Sequence, residues 1–180
     1  MSITIADDIR DWSINVLEVS NPDLPGGMPA CPFARKAWLE DKVRIVECED
    51  VLMQTILECG HFDPDRTSLV ICASYNLPDA NALYDWTSAM NDFASKADIH
   101  VMSFHPDFGA EDAELDFLYL NEWQSSLEEP YCMMFIQSLS QVDDASLLLE
   151  NKGYYSVYPE AEYHELVIER RKRRNGYETS

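Results

Sequence analysis

The order of hydrophobic and polar residues predicts a helix at the start of the chain, then a loop and a second helix. Apolar residues recur at helical spacing from about 5 to 19, and Thr4 with Asp7 matches the pattern of an N-terminal capping box. The next segment, 21–29, is too rich in proline and glycine for a helix or a strand. The second helix is predicted to begin at Pro32, because the missing N–H of proline costs nothing at the first helical position.

Farther along the chain, short apolar runs alternate with segments of helical period. Strands are predicted at 43–46, 69–73 and 99–104, and helices at 50–59 and across Leu83, Trp86, Met90 and Phe93. Three more helices are predicted at about 131–139, 143–151 and 159–174. The segment 109–120 carries no prediction of its own.

This order of elements predicts the fold class. Strands that alternate with helices pair in parallel through right-handed crossovers. No internal repeat or linker divides the chain. We therefore predict a single α/β domain, residues 1–180, with a small, mainly parallel sheet of three or four strands covered by helices and a helical C-terminal third.

The charge balance narrows the range of partners. With 33 acidic and 13 basic residues the formal net charge is −20. Binding to nucleic acid or to an anionic membrane is therefore not expected, because both depend on Lys and Arg. One basic run, Arg170 to Arg174, departs from this balance. It is interpreted either as a helix C-terminus, where cations complement the helix dipole, or as a specific anion site.

The cysteines and the N-terminus indicate the compartment. The five cysteines are an odd number without a repeating spacing, which is typical of reduced thiols. The first residues are acidic where a leader peptide would be basic, and no apolar run is long enough to span a bilayer. The sequence therefore predicts a soluble, cytoplasmic protein.

Polar residues follow each predicted strand, at 47–50, 74–76 and 105–107. The carboxyl ends of parallel strands meet at one edge of a sheet, and ligands gather there in open α/β folds. We therefore expect these three segments to share an edge.

Cys31 lies directly before the predicted helix start at Pro32. The positive end of a helix dipole favours the thiolate, and Arg35 and Lys36 would add to this effect. Cys31 is thus a candidate nucleophile, redox thiol or metal ligand. The alternative is an inert thiol that packs at the start of the helix.

His105 follows the third predicted strand and is followed by Asp107 and, farther on, by Glu111. Such a set could bind a divalent transition metal through His105, Asp107 and Glu111, or transfer protons. In the alternative, His105 satisfies a backbone group at a turn that Pro106 fixes, and the acids are a solvated face.

The order of three short motifs resembles a known family. Cys31-Pro32-Phe33-Ala34 follows the first helix, Phe104-His105-Pro106-Asp107 follows a strand, and Pro130-Tyr131 comes later. This order is similar to that of a family of short bacterial proteins catalogued as domain of unknown function fourteen-fifteen. The resemblance implies an α/β domain of uncharacterised activity. It also implies that the residues of these three motifs are the functional ones.

Three positions depart from the family pattern. Pro29 stands where the family has an asparagine, and Cys132 stands where it has a second proline. The segment 127–129 replaces an Arg-Ser pair, so this chain lacks an anion contact that the family pattern implies.

Two hypotheses for the function follow. The first is a small cytosolic enzyme that acts on a small-molecule substrate through Cys31, His105 and Asp107. It is either metal-dependent or thiol-based, with His105 assisting Cys31, and both forms require that the two segments meet. The second is a non-enzymatic protein whose acidic surface binds a basic protein partner or mimics nucleic acid.

Overall fold

The structure, a computed structural model, describes residues 4–107 and 131–178. The described strands are β1 Val43–Glu47, β2 Leu69–Ser74, β3 Ile99–Phe104 and β4 Cys132–Ser138. The described α-helices are α1 Ile5–Trp12, α2 Ala34–Leu39, α3 Val51–Cys59, α4 Ala80–Ala94, α5 Leu139–Asn151, α6 Glu160–Tyr163 and α7 Arg170–Glu178. Two π-helical turns, Ser13–Leu17 and His164–Glu169, extend α1 and join α6 to α7. The predicted α/β class with a helical C-terminal third is confirmed.

The strands form one mixed sheet in the order β1-β2-β4-β3. Strand β1 is parallel to β2, whereas β4 is antiparallel to both of its neighbours, β2 and β3. It follows that β1, β2 and β3 all run in the same direction. Their carboxyl ends therefore lie at one edge of the sheet, as predicted.

The predicted helix at 131–139 is wrong, because Cys132–Ser138 forms strand β4. This strand pairs on both sides, and five of its residues, Cys132, Met133, Met134, Phe135 and Ile136, are buried. A central strand covered by helices on both faces is apolar throughout, so it lacks the alternating pattern of a half-exposed strand. Periodicity alone does not separate such a run from a buried helix.

Side chains alternate between the two faces of the sheet, as the strand period requires. We define the front face by Val43, Ile45, Leu69, Ile71, Ala73, Met102, Phe104, Met133 and Phe135. We define the back face by Val46, Val70, Cys72, Ile99, Val101, Cys132, Met134 and Ile136. Helices α1 and α2 pack on the front face, and α3 and α4 pack on the back face.

Side-chain caps fix the start of several helices. The Thr4 hydroxyl accepts a hydrogen bond from the Asp7 N–H at 3.1 Å, and Asp7 in return accepts one from the Thr4 N–H at 3.2 Å. This is the predicted capping box of α1. Asp50 caps α3 and Ser138 caps α5 in the same way, each by accepting bonds from backbone N–H groups of the first turn.

The C-terminal segment packs against the loop that precedes Cys31. Leu149, Tyr154 and Tyr158 form a buried cluster with Leu24 from that loop. The Tyr154 hydroxyl donates a hydrogen bond of 2.6 Å to the backbone carbonyl of Ala30. The loop before Cys31 and the segment 149–158 are thus held together. None of the helices described is both long and apolar enough to cross a membrane.

Candidate functional site

Cys31 lies before a turn, not at the start of the helix. Its carbonyl accepts a hydrogen bond of 3.1 Å from the Ala34 N–H, and α2 begins at Ala34 with Phe33 as its N-cap. The predicted helix start at Pro32 is therefore wrong by two residues. Pro32 is instead part of the turn that leads into a short helix.

The thiol of Cys31 is in an environment that opposes ionisation. Burial raises its pKa, and this effect outweighs the backbone N–H groups of Phe33 and Ala34, which favour the thiolate. Nearby Glu18 raises the pKa further. This is the reverse of the predicted direction, because desolvation of the sulfur exceeds any stabilisation by the short helix.

We expect Cys31 to react slowly with iodoacetamide near neutral pH. The thiolate is the reacting form, and a pKa above the ordinary value leaves less thiolate at any given pH. The rate in the folded protein should therefore rise at a higher pH than the rate in urea-unfolded protein. Mass spectrometry of alkylated peptides gives both rates for Cys31. A folded Cys31 that reacts faster than the unfolded one would restore the activated-thiol interpretation.

His105 is buried, with 1% of its surface exposed, and the backbone uses both of its ring nitrogens. Nε2 donates to the Pro78 carbonyl at 2.9 Å, and Nδ1 accepts from the Asp107 N–H at 3.0 Å. A carbonyl can only accept and an N–H can only donate, so these contacts define the neutral ring with its proton on Nε2. This geometry matches the structural alternative, in which His105 satisfies backbone groups at a turn.

The predicted metal ligands do not form a site within the described residues. Both nitrogens of His105 are engaged by the backbone, and the nearest Asp107 carboxylate oxygen is 3.8 Å from Nδ1. The third predicted ligand, Glu111, lies outside the described residues. In ranges 4–107 and 131–178 no group of three or more His, Cys, Asp or Glu side chains could hold a metal ion.

The structure does not bring Cys31 and His105 together. Cys31 packs against the front-face cluster. The His105 ring bonds to Pro78, one residue before the N-cap of α4 on the back face. Both ring nitrogens of His105 bond to backbone groups, so neither is left for the predicted direct pair with Cys31.

The segments that follow β1 and β2 do meet, and their contacts are structural. The Ser74 hydroxyl and the Asn76 side-chain amide donate hydrogen bonds of 3.1 and 2.9 Å to the Glu49 carbonyl. The Cys48 N–H donates to the Ala73 carbonyl at 2.9 Å. These bonds tie the loop after β1 to the loop after β2, which accounts for the polar residues there.

A concave feature in the described part of the chain lies on the front face. It is a cavity of about 420 Å³ between the sheet, the N-terminal helices and the C-terminal segment. Its wall is mostly apolar and aromatic and includes Trp12, Trp38, Ile71, Phe104, Phe135 and Tyr154. Cys31 is also part of this wall. The exposed side chains of Lys36 and Glu40 lie at its rim, where it opens to solvent.

The cavity wall also includes polar residues, among them Gln137, Ser146, Tyr155 and Arg170. Arg170 is buried, with 7% of its surface exposed. Its Nε and Nη2 atoms have no hydrogen-bond partner among the described residues. Burial lowers the pKa of Arg170, and the nearby hydroxyl of Tyr155 opposes this. The cavity therefore combines a long apolar surface with one buried cation.

No pattern in the sequence predicts this cavity, although one signal for Arg170 is visible there. Tyr163, Val167 and Arg170 recur at intervals of four and three residues, which is the spacing of a buried helical stripe. Val167 is fully buried, and Arg170 continues the same stripe. An arginine at the apolar positions of a helix is unusual, because Arg is seldom buried unless it is paired.

Comparison with known proteins adds no relative from which a function could be transferred. No family model, no curated protein and no solved structure matches this chain. The resemblance in motif order stays a prediction, and the functional argument depends on the geometry of the site.

Proposed function

We propose that this protein binds a small molecule with a long apolar part in the front-face cavity. The cavity itself is the observation that supports this proposal most directly. Its volume of about 420 Å³ lies within the range of about 300 to 1,000 Å³ that is usual for ligand sites. The cavity opens to solvent beside Lys36 and Glu40, so a ligand can enter it.

The residues around the cavity suit an apolar ligand. Trp12 and Phe104 are buried and contact each other edge to face, with ring centroids 6.3 Å apart. Phe104 also lies against Phe135, with centroids 4.5 Å apart. Aromatic side chains held in this way form a rigid wall and lose little conformational freedom when a ligand binds.

A fluorescence titration tests this proposal. The neutral dye N-phenylnaphthylamine is quenched in water and fluoresces in apolar sites, and we expect it to bind with one site per chain. For a ligand of its size the expected Kd is in the range of about 1 to 100 µM. A titration that does not saturate, or that gives the same signal with urea-unfolded protein, would contradict the proposal.

The contacts of Cys31 and His105 change the enzyme hypothesis. Both ring nitrogens of His105 bond to the backbone, so a reaction that uses Cys31 and His105 as a pair is not supported. Cys31 remains at the cavity wall, where it is the one predicted site residue that a bound small molecule could contact. Because burial raises the pKa of Cys31, the described geometry gives little support to thiol chemistry there.

Binding to a basic partner is the second candidate function, and charge pairing supports it. Several basic side chains pair with acids of the same chain, among them Arg10 with Glu18 and Arg44 with Glu58. These pairs leave the net charge of −20 largely on unpaired acids. Salt-sensitive binding of a basic protein that persists when the cavity is filled would favour this candidate over the first.

A further inference from the structure

Arg170 is the basic residue of the segment 170–174 that has no acidic partner among the described residues. Each of the other four pairs with at least one carboxylate: Arg171 with Asp143 and Glu150, Lys172 with Glu169, Arg173 with Asp92, and Arg174 with Asp143 and Asp144. The basic run is therefore mainly a set of ion pairs to neighbouring elements. Arg170 is the exception, and it is also the most deeply buried residue of the five.

The nearest buried acid, Asp143, is already occupied. Its two carboxylate oxygens lie 3.4 Å from Arg171 Nε and 3.0 Å from Arg174 Nη1. Asp143 is 2% exposed, so water does not compete for it. The negative charge of Asp143 raises the pKa of Arg170, but the two side chains do not form an ion pair.

The unpartnered atoms of Arg170 define what could bind there. Nε and Nη2 carry the two N–H bonds that point in parallel from one edge of the guanidinium, and neither has a partner among the described residues. Two parallel donors match the two oxygens of a carboxylate. A buried cation without such a partner is unfavourable, so a bound anion would stabilise the guanidinium of Arg170.

We propose that the ligand of the front-face cavity is an amphipathic carboxylate, whose charged group pairs with the buried guanidinium of Arg170 and whose apolar body lies along the aromatic wall. This inference rests on the proposed function, because it names the class of ligand for the same cavity. Tyr155, which also lines the cavity and interacts with Arg170, supplies a further polar group beside the carboxylate.

The net charge of −20 does not prevent an anion from binding here. At physiological ionic strength charges are screened over about 8 Å, so distant surface acids contribute little at the cavity. A cation in direct contact with the ligand is screened much less, because it is buried. The contact between the ligand and Arg170 therefore determines whether the cavity prefers an anionic ligand.

Displacement of N-phenylnaphthylamine by two matched ligands tests the inference. Octanoate and octanol have the same alkyl length and differ in the charged group. We expect octanoate to displace the dye at about 10- to 100-fold lower concentration, the ratio that a charge-assisted hydrogen-bonded pair provides. Equal displacement by the two compounds would overturn the inference. Stronger displacement by octyl sulfate than by octanoate would also overturn it, because the site would then prefer a tetrahedral anion.

Two variants test whether Arg170 causes the preference for octanoate over octanol. In Arg170→Met the preference for octanoate should fall to about onefold, while octanol binding should stay within about threefold of the wild type. Lys172→Met removes the same charge from an exposed neighbour and should keep the wild-type preference. An unchanged preference in Arg170→Met would overturn the inference. If Arg170→Met does not fold, the ratio in the wild type decides alone.

The outcome also separates this inference from the proposed function. If neither the dye nor octanol binds, the cavity is not a ligand site and both ideas fail. If the dye and octanol bind and octanoate has no advantage, the cavity is a ligand site and only the carboxylate assignment fails.

Discussion

Replacement of Ala145 by phenylalanine is expected to weaken the binding of N-phenylnaphthylamine by about tenfold or more, the loss that follows when a ring occupies the space of the ligand. Ala145 lies on α5 and lines the cavity, where its side chain is half-buried. A phenyl ring at this position extends into the cavity and not into a packed core. The free energy of unfolding should therefore stay the same or increase by about 1 kcal/mol, as is usual when a cavity is filled.

Ala89→Phe is the matched control for this variant. Ala89 is exposed on α4, which packs on the back face, so the new ring does not reach the cavity. We expect wild-type dye binding from Ala89→Phe. Wild-type binding from Ala145→Phe as well would mean that the dye binds elsewhere on the protein.

Replacement of Asn91 by leucine is expected to lower the free energy of unfolding by about 3 kcal/mol, because two buried backbone groups lose their partners. Asn91 is 5% exposed on α4, and its side chain makes two hydrogen bonds of 2.8 Å to Val101, one to the N–H and one to the carbonyl. Strand β3 is at the edge of the sheet formed by the described strands, so the backbone of Val101 on this side has no neighbouring strand among them. The amide of Asn91 takes the place of that strand.

Urea unfolding followed by circular dichroism measures this effect. Thr87→Val is the matched control, because Thr87 is buried one turn earlier on the same helix and bonds only within it, to the Leu83 carbonyl at 2.8 Å. We expect the control to cost less than about 1 kcal/mol. A loss of under about 1 kcal/mol for Asn91→Leu would mean that the edge of β3 finds other partners.

Local signals in the sequence were sufficient for much of the fold. The capping box of Thr4 and Asp7 was predicted because both partners are three residues apart and need no tertiary context. Strands β1 and β3 were found from short apolar runs with clear boundaries. Strand β4 was not, because a run that is buried on both faces has the same composition in a helix and in a strand.

The candidate site depended on tertiary information that local patterns do not contain. The sequence places Cys31 before a helix and His105 after a strand, but the side of the sheet that each one occupies depends on how the loops pack. The conspicuous position of His105 is explained by its two backbone hydrogen bonds. The cavity was not predictable, because its wall combines segments as distant as Trp12, Phe104 and Tyr154.

Methyl NMR spectra recorded during a titration with N-phenylnaphthylamine test the central claim most directly. The aromatic rings of the dye shift the resonances of methyl groups that they contact. We expect shifts for Leu69 and Ile71, which line the cavity on the front face. Val70 and Val101 on the back face should keep their positions. Shifts confined to the back-face methyl groups, or the absence of any shift at a saturating dye concentration, would contradict a ligand site in the front-face cavity.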